Sequence, residues 1–418
     1  MIANTNRPLG ANEKVYWVLD QSISTHFAVA VELEGNATPE GWRVAIDAAQ
    51  KRHSNLSLRI TGTNYTDLSF DHVENCQIPL RVVLHATEQN WDGELEKEFQ
   101  IPIDPNHAPL ARAVLIQQPG KSIFIFLSNH SIGEGMSVTL IIRDILSALA
   151  GEELNTLAVL PSLDELVGIP LKPVGNSGSN QATLSSSALT ADRAPLAPVK
   201  IKRLSLTKAL TEKLIKKAKA EDTSVHGALS AAFILAKQRI SPNWGEKPVR
   251  LLHPISARKA LDVGDNFGLI VSMTINSYDH QPENSFWELA RIAKSGLLPT
   301  QNKEWIKEDV NKTTGLFESG LNIETIKEIL IGGTGHEIML TNLGLIPFQS
   351  DFGNLKMTAL WGPMVVTAHN AAQTVGIATV NGSLTFSLIG YHPSDGILEA
   401  VEQILIAACL IDEPVEIA

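Results

Sequence analysis

The sequence predicts a protein of the α+β class built from two domains of similar size, and three observations carry that expectation. Its 418 residues exceed the roughly 250–300 at which one hydrophobic core stops growing. Short apolar runs rich in β-branched and aromatic residues are interspersed with longer helical patterns. Near the middle, residues 172–199 are rich in Ser, Gly, Ala and Pro with no usable periodicity, which marks a linker. The expected division is therefore a first domain at 1–171, the linker at 172–199 and a second domain at 200–418.

The first domain opens with Arg7-Pro8-Leu9-Gly10 and Glu13, followed by an apolar strand from Phe27 to Leu33. A helical pattern covers Glu40 to Lys51 and leads into His53, Leu56, Leu58 and Arg59. Pro109-Leu110-Ala111-Arg112 introduces a strand from Ala113 to Ile116, and Pro119-Gly120 turns it into a second strand, Ile123 to Leu127. Polar Ser128, Asn129 and His130 come where that strand leaves its sheet, and Gly133-Glu134-Gly135 bends the chain into a long apolar helix, Met136 to Leu149. A histidine at the mouth of a strand, with a carboxylate four residues on and a glycine beside it, is suited to hold an imidazole at the bottom of a cleft.

The second domain begins with a strand and a helix over VKIKRLSLTKALTEKLIKKAKAED, capped by Thr207 or Ser205, with lysines in its last turns where the helix dipole favours them. Lys200 to Lys219 is the most basic stretch, either a solvated helix face or a docking surface. Thr223-Ser224 caps a second helix, Val225 to Arg239, in which His226 reads as a packing or capping residue. A strand ends at Ile255, Arg258 follows in a turn, and Gly264 to Gly268 bends the chain into another strand at Leu269. Helices fill 283–333, and IMLTNLGLI is a strand containing Thr341 and Asn342. Trp361-Gly362-Pro363 reads as a loop. Asn381-Gly382 joins two further strands by the strongest hairpin signal in the chain, and a closing helix runs from Asp395, its expected cap, to Leu410.

Composition excludes several classes of function. A formal net charge of -11 argues against general nucleic-acid binding, which needs a cationic face. Only Cys76 and Cys409 are present, too few for a disulfide framework or a thiolate zinc cluster. No apolar run approaches the roughly 20 residues that cross a bilayer, and the opening MIANTNRPLG has no basic-then-apolar leader, so a cytoplasmic location is expected. The twelve histidines lack metal-ligand spacing, and no Walker loop, Gly-x-Gly-x-x-Gly or Gly-x-Ser-x-Gly motif is present.

The spacing His130-x-x-x-Glu134-Gly135 resembles the His-His-x-x-x-Asp-Gly signature of the chloramphenicol acetyltransferase-like superfamily. That superfamily covers CoA- and carrier-protein-dependent acyltransferases, including condensation domains and polyketide-associated O-acyltransferases. Asn129 stands where the family has its first histidine, and Glu134 where it has aspartate. The order Arg7, Leu9, Glu13 and then His53, Leu56, Arg59 is similar to the start of polyketide-associated members. Arg258 with Asn266 and Gly268, the Thr341-Asn342-Leu343-Gly344 strand, and the final hairpin, Tyr391 and helix resemble later family segments in the same order.

This resemblance implies two α/β sandwich subdomains with an active-site tunnel at their interface. It implies His130 as general base, drawing the proton from an acceptor as it attacks a thioester carbonyl, and an Arg258–Glu134 pair that steadies the loop. Gly135 would leave room for substrate; Asn129 would serve the loop or an oxyanion; Ser272, Thr341 and Asn342 would be tunnel-lining donors. No cofactor is expected beyond acyl-CoA or an acyl carrier protein as substrate, the donor docking near Lys200–Lys219. The expected reaction is ester formation on a small-molecule alcohol in specialised lipid or polyketide metabolism. Amide formation by a condensation-type enzyme is the alternative within catalysis, and a binding or scaffolding member that has lost turnover is the alternative outside it.

Overall fold

The computed structural model describes residues 6–85, 87, 90–173, 198–240, 247–279, 285–369 and 371–410. Most of the expected linker, 174–197, lies outside the described residues. In the first half, β1 (Arg7–Pro8) leads to α1 (Ala11–Asp20), β2 (Phe27–Glu34) and α2 (Pro39–Arg52). Thr38 caps α2 by accepting the Gly41 N–H, Pro39 fixes its first turn, and Lys51 and Arg52 sit at its carboxyl end. Three short strands follow, β3 (Leu58–Thr61), β4 (Ser69–His72) and β5 (Leu80–Leu84), then α3 (Asp92–Phe99). The expected hairpin is β6 (Ala111–Gln118) and β7 (Lys121–Ser128), paired antiparallel across Pro119-Gly120. α4 (Gly135–Leu149) and the single turn α5 (Leu163–Leu166) close this half. α4 is apolar nearly all round because it is buried, with Val138, Ile141, Ile142, Ile145 and Leu146 in the core.

The second half comprises β8 (Lys200–Ser205), α6 (Lys208–Ala220), α7 (Val225–Ile240), β9 (Val249–Ser256) and β10 (Val271–Tyr278). Then come α8 (Phe286–Leu297), α9 (Lys303–Glu318), α10 (Ile323–Gly333) and β11 (Ile338–Leu345). β12 (Asp351–Phe352), β13 (Leu355–Val365), β14 (Gln373–Val380), β15 (Ser383–Gly390) and α11 (Ile397–Leu410) complete the described chain. Asn381 and Gly382 both have positive φ, the backbone that a two-residue type I′ hairpin demands, so β14 and β15 pair as the Asn-Gly signal predicts. Thr207 caps α6 and Ser224 caps α7. Asp395 does not cap α11: its carboxylate pairs with Lys202, and the helix is entered at Gly396, whose carbonyl accepts the Ala400 N–H.

Each half is a six-stranded sheet backed by helices, the α+β architecture expected. The second sheet has the order β10-β9-β11-β14-β15-β8 and the first β12-β13-β2-β7-β6-β5. That first order corrects the sequence-based division. Residues 351–365 come from the second half of the chain, yet β13 pairs antiparallel with β2 along its length, from Lys356 opposite Glu34 to Val365 opposite Phe27. The segment read as a loop around Trp361-Gly362-Pro363 is the longest strand of the fold. Gly and Pro inside a run argue against a central strand; here they fall where the register shifts between Trp361 and Met364, so the missing N–H costs no regular ladder bond.

β13 also lies against the second sheet. A Cβ on Gly376 of β14 would sit 2.3 Å from the Pro363 carbonyl oxygen, so only glycine permits the approach. Thr385 Oγ1 donates to the Leu360 carbonyl at 2.6 Å, and Asn381 Nδ2 to that of Met357 at 2.9 Å.

A second lock between the halves is centred on Arg203 of β8. Its guanidinium lies over Trp91 at 4.2 Å and over Trp361 at 4.7 Å, and it donates to Glu32 at 2.8 Å and to Asp92. Both indole N–H groups converge on the same Glu32 oxygen, at 2.9 and 3.0 Å. Arg203→Ala is expected to destabilise the protein by about 2 kcal/mol, the scale of a desolvated cation–π contact with charge-assisted hydrogen bonds. The urea midpoint should fall accordingly, with Arg203→Lys recovering only part because it cannot stack and fork at once.

Candidate functional site

His130 stands in the turn between β7 and α4, and three features fix that turn. The Asn129 N–H donates to the Leu110 carbonyl at 2.9 Å, and Asn129 Oδ1 accepts the Ser131 N–H at 2.9 Å. Glu134 then caps α4, its carboxylate accepting from Met136 N at 2.6 Å and Ser137 N at 3.1 Å. An anion at a helix amino end is favoured by the dipole and satisfies otherwise orphaned donors. Glu134 therefore starts the helix as well as closing the loop.

The imidazole lies between two aromatic rings. Tyr16 of α1 stacks on it at 3.9 Å with planes 5° apart, and Phe27 of β2 lies 4.6 Å away, tilted by 41°. Nδ1 is buried against the backbone of its own loop, which leaves Nε2 as the nitrogen on the open side. Burial pushes the imidazole pKa down to about 4, against a weaker opposing pull from the backbone of His130 and Gly133. The ring is therefore neutral near pH 7, with a bare nitrogen lone pair. Burial, reinforced by the charge of Glu134, raises the Tyr16 phenol and keeps it protonated.

Nε2 faces a cavity of about 190 Å³ between the halves. Tyr16, Phe27 and Met136 wall it from the first half, and Leu252, Val271 and Met339 from the second. Of the sequence-predicted residues, His130, Glu134, Gly135, Ser272, Thr341 and Asn342 all line it; Asn129 and Arg258 do not. Asn129 is 1% exposed and bonded within its loop, so it serves the backbone and not an oxyanion. Asn342 Oδ1 accepts the Gly344 N–H at 2.8 Å, leaving its amide Nδ2 as a donor beside the cavity. The Ser272 hydroxyl is committed to Asp309 of α9.

Arg258 sits behind the loop, 8% exposed, with four of its five N–H donors engaged. Nε donates to Glu134 Oε1 at 2.9 Å, Nη1 to the Gly264 carbonyl at 2.7 Å, and Nη2 to Ser137 Oγ at 2.6 Å and the Asn266 carbonyl at 3.0 Å. The longer glutamate side chain reaches Arg258 directly. Ser137 Oγ in turn donates to the Gly268 carbonyl at 2.6 Å, so the turn carrying His130 and the 264–268 bend of the second half form one polar cluster. Nearby, His53 Nε2 bonds Asp144 at 2.8 Å and Asn55 Nδ2 donates to the Phe267 carbonyl at 2.9 Å.

Gly135 has a different reason from the one the sequence suggests. A Cβ there would lie 2.1 Å from Pro363 Cγ, so glycine makes room for β13, and the obstruction would be to packing before it was to substrate. Gly135→Ala is expected to cost about 1–3 kcal/mol by overpacking, because a proline ring in a strand yields little. A lower melting temperature together with weaker activity would show it; an unchanged melting curve would contradict the contact.

His226 is held by His253, Nε2 to Nδ1 at 2.9 Å, and burial drives both rings well below their usual range, to about 4 and about 3. It is a packing residue outside the cavity. In the basic stretch, Lys200 pairs with Glu96, Lys202 with Asp395, and Lys216 with Glu212, while Arg203 belongs to the tryptophan lock. No residue from 200–219 lines the cavity.

Sequence reasoning missed Tyr16, Phe27 and Pro363. Each is an apolar or aromatic residue in a core-like pattern, and only their convergence from α1, β2 and β13 makes them part of the site.

Two sheets packed side by side, with a histidine turn from one facing a cavity closed by the other, define a two-subdomain fold. The comparisons agree. Residues 196–291 match the family model for the phthiocerol/phthiodiolone dimycocerosyl transferase C-terminus. Over 379 residues, 85% of this chain, the sequence is 23% identical to surfactin synthase subunit 2 of Bacillus subtilis (strain 168), of whose length it spans only 10%. Polyketide synthase associated protein 5 from Mycobacterium tuberculosis superposes with a TM-score of 0.69 at 14% identity, covering 97% of this chain and 98% of that one. The first condensation domain of the CDA synthetase gives 0.66 at 14% identity, covering 97% and 96%. The chain therefore shares the two-subdomain fold of condensation domains and of polyketide synthase associated protein 5. Among the described residues no helix is long and apolar enough to cross a membrane, and no group of three or more acidic, histidine or cysteine side chains is placed to hold a metal ion.

Proposed function

We propose that this protein transfers an acyl group from a CoA or carrier-protein thioester to an alcohol, with His130 as general base. The observation that carries the reading is a neutral imidazole whose Nε2 faces a largely apolar cavity between the two halves. Nε2 takes the hydroxyl proton as the oxygen attacks the thioester carbonyl. Collapse of the tetrahedral intermediate forms the ester bond, breaks the carbon–sulfur bond and returns the proton to the departing thiolate. General-base help of this kind contributes about 10² to 10⁴ in rate, and alignment of the two substrates in one cavity can contribute more. Asn342 Nδ2 is the donor we assign to the developing oxyanion. Lys208, Lys213 and Lys219 on the outer face of α6 would meet an acidic carrier at a distance from the chemistry.

Ester formation is supported by the match of 196–291 to the dimycocerosyl transferase model, and by the Arg7–Glu13 pair and the Thr341-Asn342-Leu343-Gly344 strand. A second reading, amide formation, is favoured by the likeness to condensation domains. Acyl thioesters of graded length, offered with matched alcohols and amines and followed by mass spectrometry, separate the two. Ester product supports the first reading. Amide alone replaces it with the second, and no turnover with any pair points to a binding module.

A further inference from the structure

Behind Tyr16 lies a second chamber, of about 330 Å³, between α1 of the first half and β10, α9 and α10 of the second. It shares Tyr16, Leu19, Val271, Ser272, Met273 and Thr334 with the His130 cavity, so the two are neighbours across one partition. Most of its wall is apolar, including Val15, Ile275 and Leu330. Several of its polar wall groups are already engaged: Asn12 Nδ2 donates to the Val271 carbonyl at 3.1 Å, Thr313 Oγ1 to the Asp309 carbonyl at 3.0 Å, and Thr334 Oγ1 to the Leu330 carbonyl at 2.9 Å.

Asp309 is the one carboxyl among the described lining residues. One of its oxygens accepts the Ser272 hydroxyl; the other has no partner among the described residues, and no cation pairs with the group there. Lys312, a basic group whose charge acts on it, is exposed and does not line the chamber. A half-buried carboxylate with one free oxygen in an apolar chamber is an uncompensated charge, and such a charge is stabilised by a ligand that brings a positive one. Burial raises the Asp309 pKa, as that lack of compensation requires.

We propose that the Asp309 chamber is a subsite for a protonated amine, the distal group of an acceptor whose hydroxyl is presented to His130. The inference rests on the acyl-transfer reading for the hydroxyl, but its amine-binding half stands alone. The acceptor class is an amino alcohol: the ammonium bonds the free Asp309 oxygen, the linking chain passes the Tyr16 partition, and the hydroxyl meets Nε2. Because Tyr16 separates the carboxylate from the imidazole, the amine is an anchor and not the nucleophile.

The test measures binding without turnover. His130→Ala protein is titrated by calorimetry with α,ω-amino alcohols of three to eight carbons, and with alkanols in which a methyl group replaces the ammonium. One amino alcohol is expected to bind at least about tenfold more tightly than its alkanol, as a charge-assisted hydrogen bond allows. Adding Asp309→Asn should erase that preference, and Asp309→Glu should restore part of it. Equal binding of amine and methyl, a preference that survives Asp309→Asn, tighter binding of neutral diols than of amino alcohols, or no binding at any chain length overturns the subsite. Amine binding by a wild-type protein that forms no ester would sink only the transfer reading. Ester formation with no amine preference would sink only the subsite.

Discussion

His130→Ala is expected to lower kcat for acyl transfer by about 10² to 10⁴ while leaving the fold intact. Among the described residues the imidazole bonds no other side chain, and its ring contacts are the stack on Tyr16 and the tilted contact with Phe27. Removing it opens space that already adjoins a cavity, so the folding cost should be modest beside the loss of the base. A circular dichroism melt and a single-turnover assay on one preparation test both halves of the statement. The pH profile gives an independent check. The catalytic form is the neutral one, and burial places its loss at about pH 4; kcat/KM should therefore stay level through the range where an exposed histidine titrates, near 6.5, and fall only as acid reaches the buried value. A fall centred near 6.5 would mean that the ring is solvated and the stacked geometry wrong.

Arg258→Ala is expected to have the largest effect on stability, about 3–5 kcal/mol, and to reduce activity as well. The substitution strands the Glu134 carboxylate, 5% exposed, without its cation, and leaves the Gly264 and Asn266 carbonyls without a donor. Activity follows because Glu134 holds the amino end of α4, and the turn with His130 hangs between that cap and β7. Arg258→Lys should recover little, since an ammonium cannot reach four acceptors spread over the fork of a guanidinium. A mutant with wild-type melting temperature and wild-type kcat would refute the cluster. Loss of kcat at unchanged melting temperature would show that Arg258 acts on the reaction more directly than the geometry indicates.

The parts of this molecule that were legible in the sequence are those written in local rules. The β6–β7 hairpin follows from Pro119-Gly120, the β14–β15 hairpin from Asn381-Gly382, and the helices of α2, α6 and α7 from their caps and periodicity. The strand, turn and helix that hold His130 were readable for the same reason, because an apolar run, a glycine-flanked acid and a second apolar run each announce one piece. The placement of Arg258 beside Glu134 came instead from likeness to a family, as no local rule links residues 124 apart. What stayed hidden depends on long-range pairing. β13 carries Gly362-Pro363, which speaks locally for a loop, and its partner β2 lies more than 300 residues earlier. Tyr16 gives no sign in its own helix that it faces an imidazole. Asp309 looks like any acidic residue on a helix surface until the opposite half covers it.

The crossing of β13 into the first sheet limits how the molecule can move. With a second-half strand stitched along β2 and pressed against β14, the halves cannot part like the jaws of a clamp on that side. Any breathing that admits a substrate must keep this seam intact and open elsewhere along the boundary between the halves. A fragment ending before residue 351 would also leave the β2 edge bare, a sticky border that invites strand exchange between copies. Integrity of the seam is thus a condition both for admitting substrates and for remaining a single well-behaved molecule.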